Sequence, residues 1–400
     1  MKADRDGAWT EVAFPETLVR NSVGRENQIL SSEIRPRGRF PVVDQGQAFV
    51  AGYCDDEERV IRDDLPLVIF GDHTRCFKYV DFPFILGADG TKVLKPDADQ
   101  FEPRFFYYAL LNLEIPSRGY NRHFKQVKES SIPRPEKDEQ KKIAGVLGLV
   151  QRAMEQQERL IEKTAELKKT LLHQLFTQGT RGEPQKQTDL GPVPESWEVV
   201  KLSEVCTFIS GGTPAKQRPD FWEGTIPWAS PKDMKRPRLR DVVDHISDEA
   251  LEDGSRLAPA GSIFVVIRGM ILAKDVPVAL AEVPMAFNQD MKAIIPGERI
   301  SSAFLLYALG AFKRNLFEKV GRSAHGTMTL MSTEISSFAI PLPDRKTQEE
   351  IATALETVET KFEHYRRKHA TLSALFRTLL HQLMTAQLRV HDLALPELLK

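Results

Sequence analysis

Cysteine is scarce in this chain: Cys54, Cys76 and Cys206 are the three in 400 residues. Their number is odd and no Cys-x-x-Cys or Cys/His spacing joins them. This argues against a disulfide framework and a zinc site, and for reduced thiols in a cytoplasmic setting. No run approaches 18 uninterrupted apolar residues, so no membrane span is expected. The opening MKADRDGAWTEV lacks an apolar core, and no secretory signal is expected. An excess of one charge is also missing: 55 Lys+Arg stand against 56 Asp+Glu, a net charge of −1. Residues 1–131 carry 18 against 21, and residues 186–339 carry 18 against 19. A protein that holds nucleic acid by phosphate neutralisation alone is more basic than this. Catalytic signatures are absent too. There is no Gly-x-x-x-x-Gly-Lys-[Ser/Thr] loop, no Gly-x-Gly-x-x-Gly after a strand and no Gly-x-Ser-x-Gly elbow. The Asn/Asp-Pro-Pro-Tyr/Phe tetrapeptide of amino-methyltransferases is not found either. Ser210-Gly211-Gly212-Thr213-Pro214 reads as a turn, and His73 and His325 stand alone. No catalytic residue, metal ligand or cofactor site is expected in this chain.

What the sequence does contain is itself, twice. Residues 132–177 align with 340–385 at a constant offset of 208 without a gap, and 18 of the 46 pairs are identical. IPRPEKDEQKKIAGVL matches IPLPDRKTQEEIATAL, and TLLHQLFT matches TLLHQLMT. Each copy follows a globular-looking stretch. The stretches share an opening, with Trp9 before TEVAF and Trp197 before EVVKL. Length and the 41% apolar fraction allow each to bury a core. Leu67–Phe70 and Ser262–Ile267 read as buried strands, and Arg104–Leu113 and Ala303–Phe317 as helices. The globules are α+β.

The repeated segments are helical. Steps of four and three pick out Val146, Val150, Ala153, Gln157, Leu160, Thr164, Leu167, Leu171 and Gln174 as a seam. In the second copy they pick out Ala354, Val358, Lys361, Tyr365, Lys368, Leu372, Leu375, Leu379 and Gln382, with Phe362 and Phe376 beside them. The two copies are the natural partners for each other as an antiparallel coiled coil. Gly145 and Gly148 weaken the first turns, which predicts a short helix, a bend, and a long helix over 151–177. A 27-residue helix spans roughly 40 Å, near the ~34–36 Å spacing of paired DNA half-sites, so the helices could act as a ruler. They could equally do no more than dimerise or fill a bundle. The stretch Gly179–Val193 reads as an exposed, flexible linker, and the LPELLK tail as another short helix.

Loops that combine cations with hydrogen-bonding side chains are the candidate ligand readers, because such side chains pair with base edges and phosphates. In the first globule these are Arg35, Arg37 and Arg39, then His73, Thr74 and Arg75, then Arg118, Tyr120, Asn121, Arg122 and His123. In the second they are Ser230, Lys232, Asp233, Lys235 and Arg236, with Arg238 and Arg240 following. Arg268, and then Arg322, Ser323 and His325, complete the set. They fall where the two halves differ. A protein-binding scaffold, or an enzyme with an unfamiliar site in one globule, are the other readings that the residues leave open.

Several segments resemble the specificity subunits of Type I restriction-modification systems. LGPVPESWEVVKL at 190–202 resembles the opening of that family's second target recognition domain, and Ile226-Pro227-Trp228 and Asn288-Gln289-Asp290 resemble pieces inside it. Ile340-Pro341-Leu342-Pro343 with Gln348, Ile351 and Ala352 resembles the start of its helical region. Ile132, Pro133, Pro135, Gln140, Ile143 and Ala144 repeat that pattern. The first globule departs from it, having Gly7-Ala8-Trp9 where the second has Pro-x-x-Trp. The resemblance implies a target recognition domain at 1–131, a helical spacer at 132–182, a second recognition domain at 183–339, a second spacer at 340–390, and a tail at 391–400. It implies a non-catalytic reader of bipartite double-stranded DNA that docks two methyltransferase subunits and, where a nuclease exists, restriction/translocase subunits. S-adenosylmethionine, and ATP with magnesium, would be bound by those partners, which would also supply grip on the phosphates.

Overall fold

The computed structural model describes residues 9–88, 90–117, 119, 121–322 and 326–393. Contacts divide the chain into two compact units, Met1–Arg159 with Arg366–Lys400, and Leu160–Tyr365. Half of each long helix therefore belongs to each unit. No helix of the described residues is long and apolar enough to cross a membrane.

In the first unit, Thr10–Ala13 pairs antiparallel with Ser131–Arg134. One antiparallel sheet has the order Leu18–Val19, Thr91–Pro96, Leu67–Gly71, Phe77–Val80. A second sheet has the order Gln28–Ile29, Ile85–Gly87, Phe40–Val43, Gly52–Cys54, and its two inner strands run parallel. All five residues of Leu67–Gly71 are buried, as their unbroken apolar run requires. The helix Pro103–Leu111 covers the antiparallel sheet with Phe105, Phe106 and Leu110.

The second unit repeats this construction. Glu198–Lys201 pairs with Ala339–Leu342. A five-stranded sheet centres on Ile263–Val266 and Met291–Pro296, and a four-stranded sheet holds Ile226–Ala229 parallel to Met285–Phe287. The helix Ser302–Ala311 takes the place of Pro103–Leu111. Equivalence reaches single bonds. Phe14 N donates to Ser130 O at 3.0 Å, and Leu202 N to Phe338 O at 3.0 Å. Gln140 is fully buried; its Oε1 accepts from Glu102 N at 2.7 Å and its Nε2 donates to Gln100 O and Pro135 O, both at 2.9 Å. Gln348 does the same with Ser301 N at 2.9 Å, Arg299 O at 2.9 Å and Pro343 O at 3.0 Å. Each glutamine ties the start of a long helix to the start of the globule's own helix.

The first long helix runs unbroken over Lys137–Gln178, so the expected bend near residue 150 is not there. Packing overrides the glycine penalty. Ile143, Ala144, Val146 and Leu147 are buried in the first unit's core, and a Cβ on Gly148 would lie 3.5 Å from the Tyr108 hydroxyl. The second long helix is Arg345–Met384. The two run antiparallel within each unit. Glu158 meets His369 at 3.0 Å in the first, and Lys168 meets Glu359 at 2.6 Å in the second.

Of the seam residues, Val146, Gln157, Thr164 and Val358 are buried, and Val150, Leu160, Leu171, Leu372 and Leu379 half-buried. Leu167 and Leu375 are not in the seam, being 53% and 44% exposed. A helix of 3.6 residues per turn drifts away from a strict 3.5 repeat, and Lys168 and Phe376 take the inward places one position later.

The expected flexible linker is instead a hairpin, Gln185–Thr188 with Gly191–Pro194. Val193 is fully buried in the second unit's core. Val390, in the turn Val390–Asp392, is buried in the first unit's core, while the LPELLK tail lies outside the described residues.

Candidate nucleic-acid interface

Parallel strands place their carboxyl ends side by side, and the loops that follow converge. In the first unit these ends open onto 44–51 and onto Ala88. The 44–48 backbone is held from beneath by Lys78, whose side chain is 4% exposed. Its Nζ donates to Asp44 O at 2.8 Å and Ala48 O at 2.5 Å, with Asp44 Oδ1 at 3.5 Å. Burial depresses the Lys78 ammonium pKa, while Asp44 opposes that shift. The hairpin turn after Leu67–Gly71 packs against this loop. His73 N donates to Gln45 Oε1 at 3.4 Å, and the Thr74 hydroxyl donates to Gln45 O. Gly71 permits the approach, since a Cβ there would fall 2.6 Å from Gln45 O.

The structure thus brings His73, Thr74 and Arg75 to the strand ends. Arg75 is exposed, has a left-handed φ of 63° and donates from Nη1 to Ile115 O at 2.9 Å. Asn121 and Arg122 are exposed nearby, because the Asp72 carboxylate accepts from His123 N and Phe124 N, both at 2.8 Å. His123 itself is fully buried against Asp72 O, at 3.0 Å, and serves the fold rather than a surface. Arg35, Arg37 and Arg39 precede Phe40–Val43 and so lie toward the opposite strand end. Arg35 faces Asp55 at 3.7 Å, and Arg39 faces Glu57 at 2.8 Å. Arg118 and Tyr120 lie outside the described residues.

In the second unit the parallel ends open onto 230–237 and 288–290. Ser230 N and Oγ both donate to Asp233 Oδ2 at 2.9 Å, so Ser230 and Asp233 shape the turn. Lys232 is exposed and bonds Asp244 at 2.6 Å, which raises its pKa. Lys235 and Arg236 are exposed. A cavity of about 470 Å³ opens here, lined by Lys216, Trp222, Trp228, Ser230, Lys232, Asp244 and Asn288. Trp222 and Trp228 meet edge-to-face at 5.0 Å. Arg268 joins the same edge: its N donates to Asp290 O at 3.2 Å, and Thr329 bridges to it. Arg322 is exposed on Gly321–Arg322, paired with Met328–Thr329. Ser323 and His325 lie outside the described residues.

Arg238 and Arg240 belong elsewhere. Arg238 reaches Glu282 at 3.4 Å and Glu356 at 2.5 Å, beside the Tyr307 hydroxyl that donates to Glu359 at 2.9 Å. Arg240 pairs with Glu282. Arg238 thus fastens the globule to the second long helix, and Arg240 is paired within the globule.

Sequence reasoning missed Gln45, Gln47, Lys78, Lys216 and Trp222. Their only signal is the parallel pairing of strands more than 40 positions apart, which no local motif announces. Among the described residues no group of His, Cys, Asp and Glu could hold a metal.

Comparison with known proteins agrees with this construction. Residues 194–373 match the family described as Type I restriction modification DNA specificity domain. The EcoR124I/EcoR124II Type I restriction enzyme specificity subunit of Escherichia coli is 31% identical over 328 residues, 80% of either chain. The MjaIX specificity subunit of Methanocaldococcus jannaschii is 28% identical over 194 residues, 47% of this chain and 43% of that one. In fold, the chain is similar to the Type I restriction-modification S subunit of M. genitalium. The TM-score is 0.66 and the identity 17%, covering 96% of this chain and 98% of the other.

Proposed function

The chain belongs to the specificity subunits of Type I restriction-modification systems, and from that premise we propose how its parts divide the work. It is the DNA-reading subunit of such a complex. Each globule reads one half of a bipartite duplex target, and the long helices set the unread spacer between the halves. The observation that carries this reading is one scaffold built twice, down to the Gln140 and Gln348 clamps, with unlike loops at equivalent strand ends.

Two methyltransferase subunits dock on the helical pair, one per repeat, with restriction subunits joining where the system includes a nuclease. Leu167 and Leu375 support two equivalent docking places, since they are the same position of the repeat and both are exposed. The chain carries no chemistry of its own in this scheme. S-adenosylmethionine, and ATP with magnesium, are held by the partners, which also neutralise phosphates that a nearly neutral reader does not. The direct readers are Thr74, Arg75, Asn121 and Arg122 in the first globule, and Lys232, Lys235, Arg236, Arg268 and Arg322 in the second.

Adenine-methylation mapping tests this in cells that express the chain with its cognate methyltransferase, against cells lacking the chain. A bipartite motif that depends on the chain is expected, and exchange of residues 1–131 for those of a relative should alter one half only. An unchanged methylome from an assembled complex would overturn the reading.

A further inference from the structure

Burying an ammonium group is costly unless its hydrogen bonds are satisfied inside the fold. Lys78 is such a group, in a strand whose neighbours Phe77 and Val80 are apolar and buried. It spends its hydrogen bonds on the main chain of one loop: Asp44 O, Ala48 O and the Asp44 carboxylate. The same loop is tied a second time from outside, through Gln45, to His73 N and the Thr74 hydroxyl. A six-residue loop at the carboxyl end of a parallel strand pair is thereby fixed in one shape. Its outer residues, Gln47, Ala48 and Phe49, remain exposed. Gln47 accepts from the Cys76 thiol at 3.1 Å through Oε1, and no described residue accepts from its Nε2. A loop so held, whose exposed residues are uncharged and present an amide, is suited to base edges rather than phosphates, because a glutamine amide pairs with the N6/N7 edge of adenine in the major groove.

We infer that the 44–49 loop, pinned by Lys78, is a further base-reading loop of the first globule, and that Gln47 is a specificity-determining residue facing an adenine edge. Lys78 is a positioning residue. This rests on the DNA-reading function proposed above and assigns that function to residues which the loop chemistry of the sequence did not single out.

The test maps methylation for the full chain with its cognate methyltransferase, comparing wild type with Gln47→Ala and Lys78→Met. Gln47→Ala should lower the preference at one base pair of one half-site by roughly tenfold and leave the other half-site unchanged. Lys78→Met should loosen discrimination in that same half, with the second half still read, which a general loss of folding would not give. Base preferences unchanged at every position in both variants would overturn the inference. So would a loosened position in the half that follows residues 186–339 in domain exchange. Should Lys78→Met abolish assembly, Gln47→Ala decides alone, because Gln47 is exposed. A wild-type complex with no bipartite motif would instead overturn the DNA-reading function itself.

Discussion

The twin glutamine clamps allow a matched perturbation of the two units. Gln348→Leu keeps the side-chain volume but strips the amide from Ser301 N, Arg299 O and Pro343 O. A buried polar group left unpaired costs about 1–3 kcal/mol. Arg299 is exposed, so water can replace the bond to its carbonyl, and the two remaining groups cost about 2–6 kcal/mol together. For a unit of this size each kcal/mol moves the transition by roughly 2–4 °C, which gives a drop of roughly 4–24 °C. Gln140→Leu should cost the first unit a similar amount. The tryptophans separate the two effects, since Trp197, Trp222 and Trp228 lie in the second unit and Trp9 in the first. Tryptophan emission during thermal unfolding should therefore report Gln348→Leu strongly and Gln140→Leu weakly, while far-ultraviolet circular dichroism reports both. A shift under about 2 °C in either variant, or an emission change that does not distinguish them, would refute the claim that these amides are the clamps.

Arg238→Ala should destabilise the second unit by about 1–2 kcal/mol, because Glu356 loses its cation while Glu282 keeps Arg240. Arg238→Lys should restore only part of that loss, since one ammonium cannot reach both carboxylates as the guanidinium does. Asp64 provides a pH signature. Hydrogen bonds from Lys95 and Ser22 hold its carboxyl at about 2. Its contribution is therefore present above the unfolded carboxylate range and is lost as pH falls through the folded value. The melting-temperature gap between wild type and Asp64→Asn should be constant near neutrality and close between about pH 4 and pH 2. A gap that does not change with pH would show that the carboxylate charge is not what Asp64 contributes.

The repeat was legible because it is written twice with one offset, and strand pairs, helix starts and clamps then follow at equivalent positions. Leu67–Gly71 and Ile263–Val266 were legible as strands because burial on both faces demands an unbroken apolar run. Gly145 and Gly148 misled because helix propensity is local, whereas Tyr108 and the apolar face over residues 143–147 act from a distance. Gly179–Val193 misled for a related reason: its polar composition hides Val193, which the second core takes in. The loops were harder. Arg35, Arg39, Arg238 and Arg240 look like readers in one dimension, but each meets a carboxylate of its own unit in three. Gln47 and Lys78 have no cationic cluster to advertise them, and Lys78 reaches the loop that carries Gln47, 31 positions away, only through the fold.

That contrast bears on the near-zero charge. In a reader built on surface cations, net charge and affinity rise together, and affinity then carries little sequence information because every duplex offers the same phosphates. Here several cations are tied to acids within their own unit, which removes them from that non-specific role. What remains at the parallel strand ends is a set of exposed cations beside fixed shapes: a loop clamped by a buried lysine in one unit, and in the other a cavity lined by Trp222, Trp228 and Asn288 together with Lys216, Lys232 and Asp244. Base edges differ in hydrogen-bond pattern and not in net charge, so donors and acceptors held in fixed positions, whether amide, guanidinium or ammonium groups, discriminate between them. A nearly neutral subunit fits the division of labour proposed above, in which this chain reads base identity and its partners grip the phosphates.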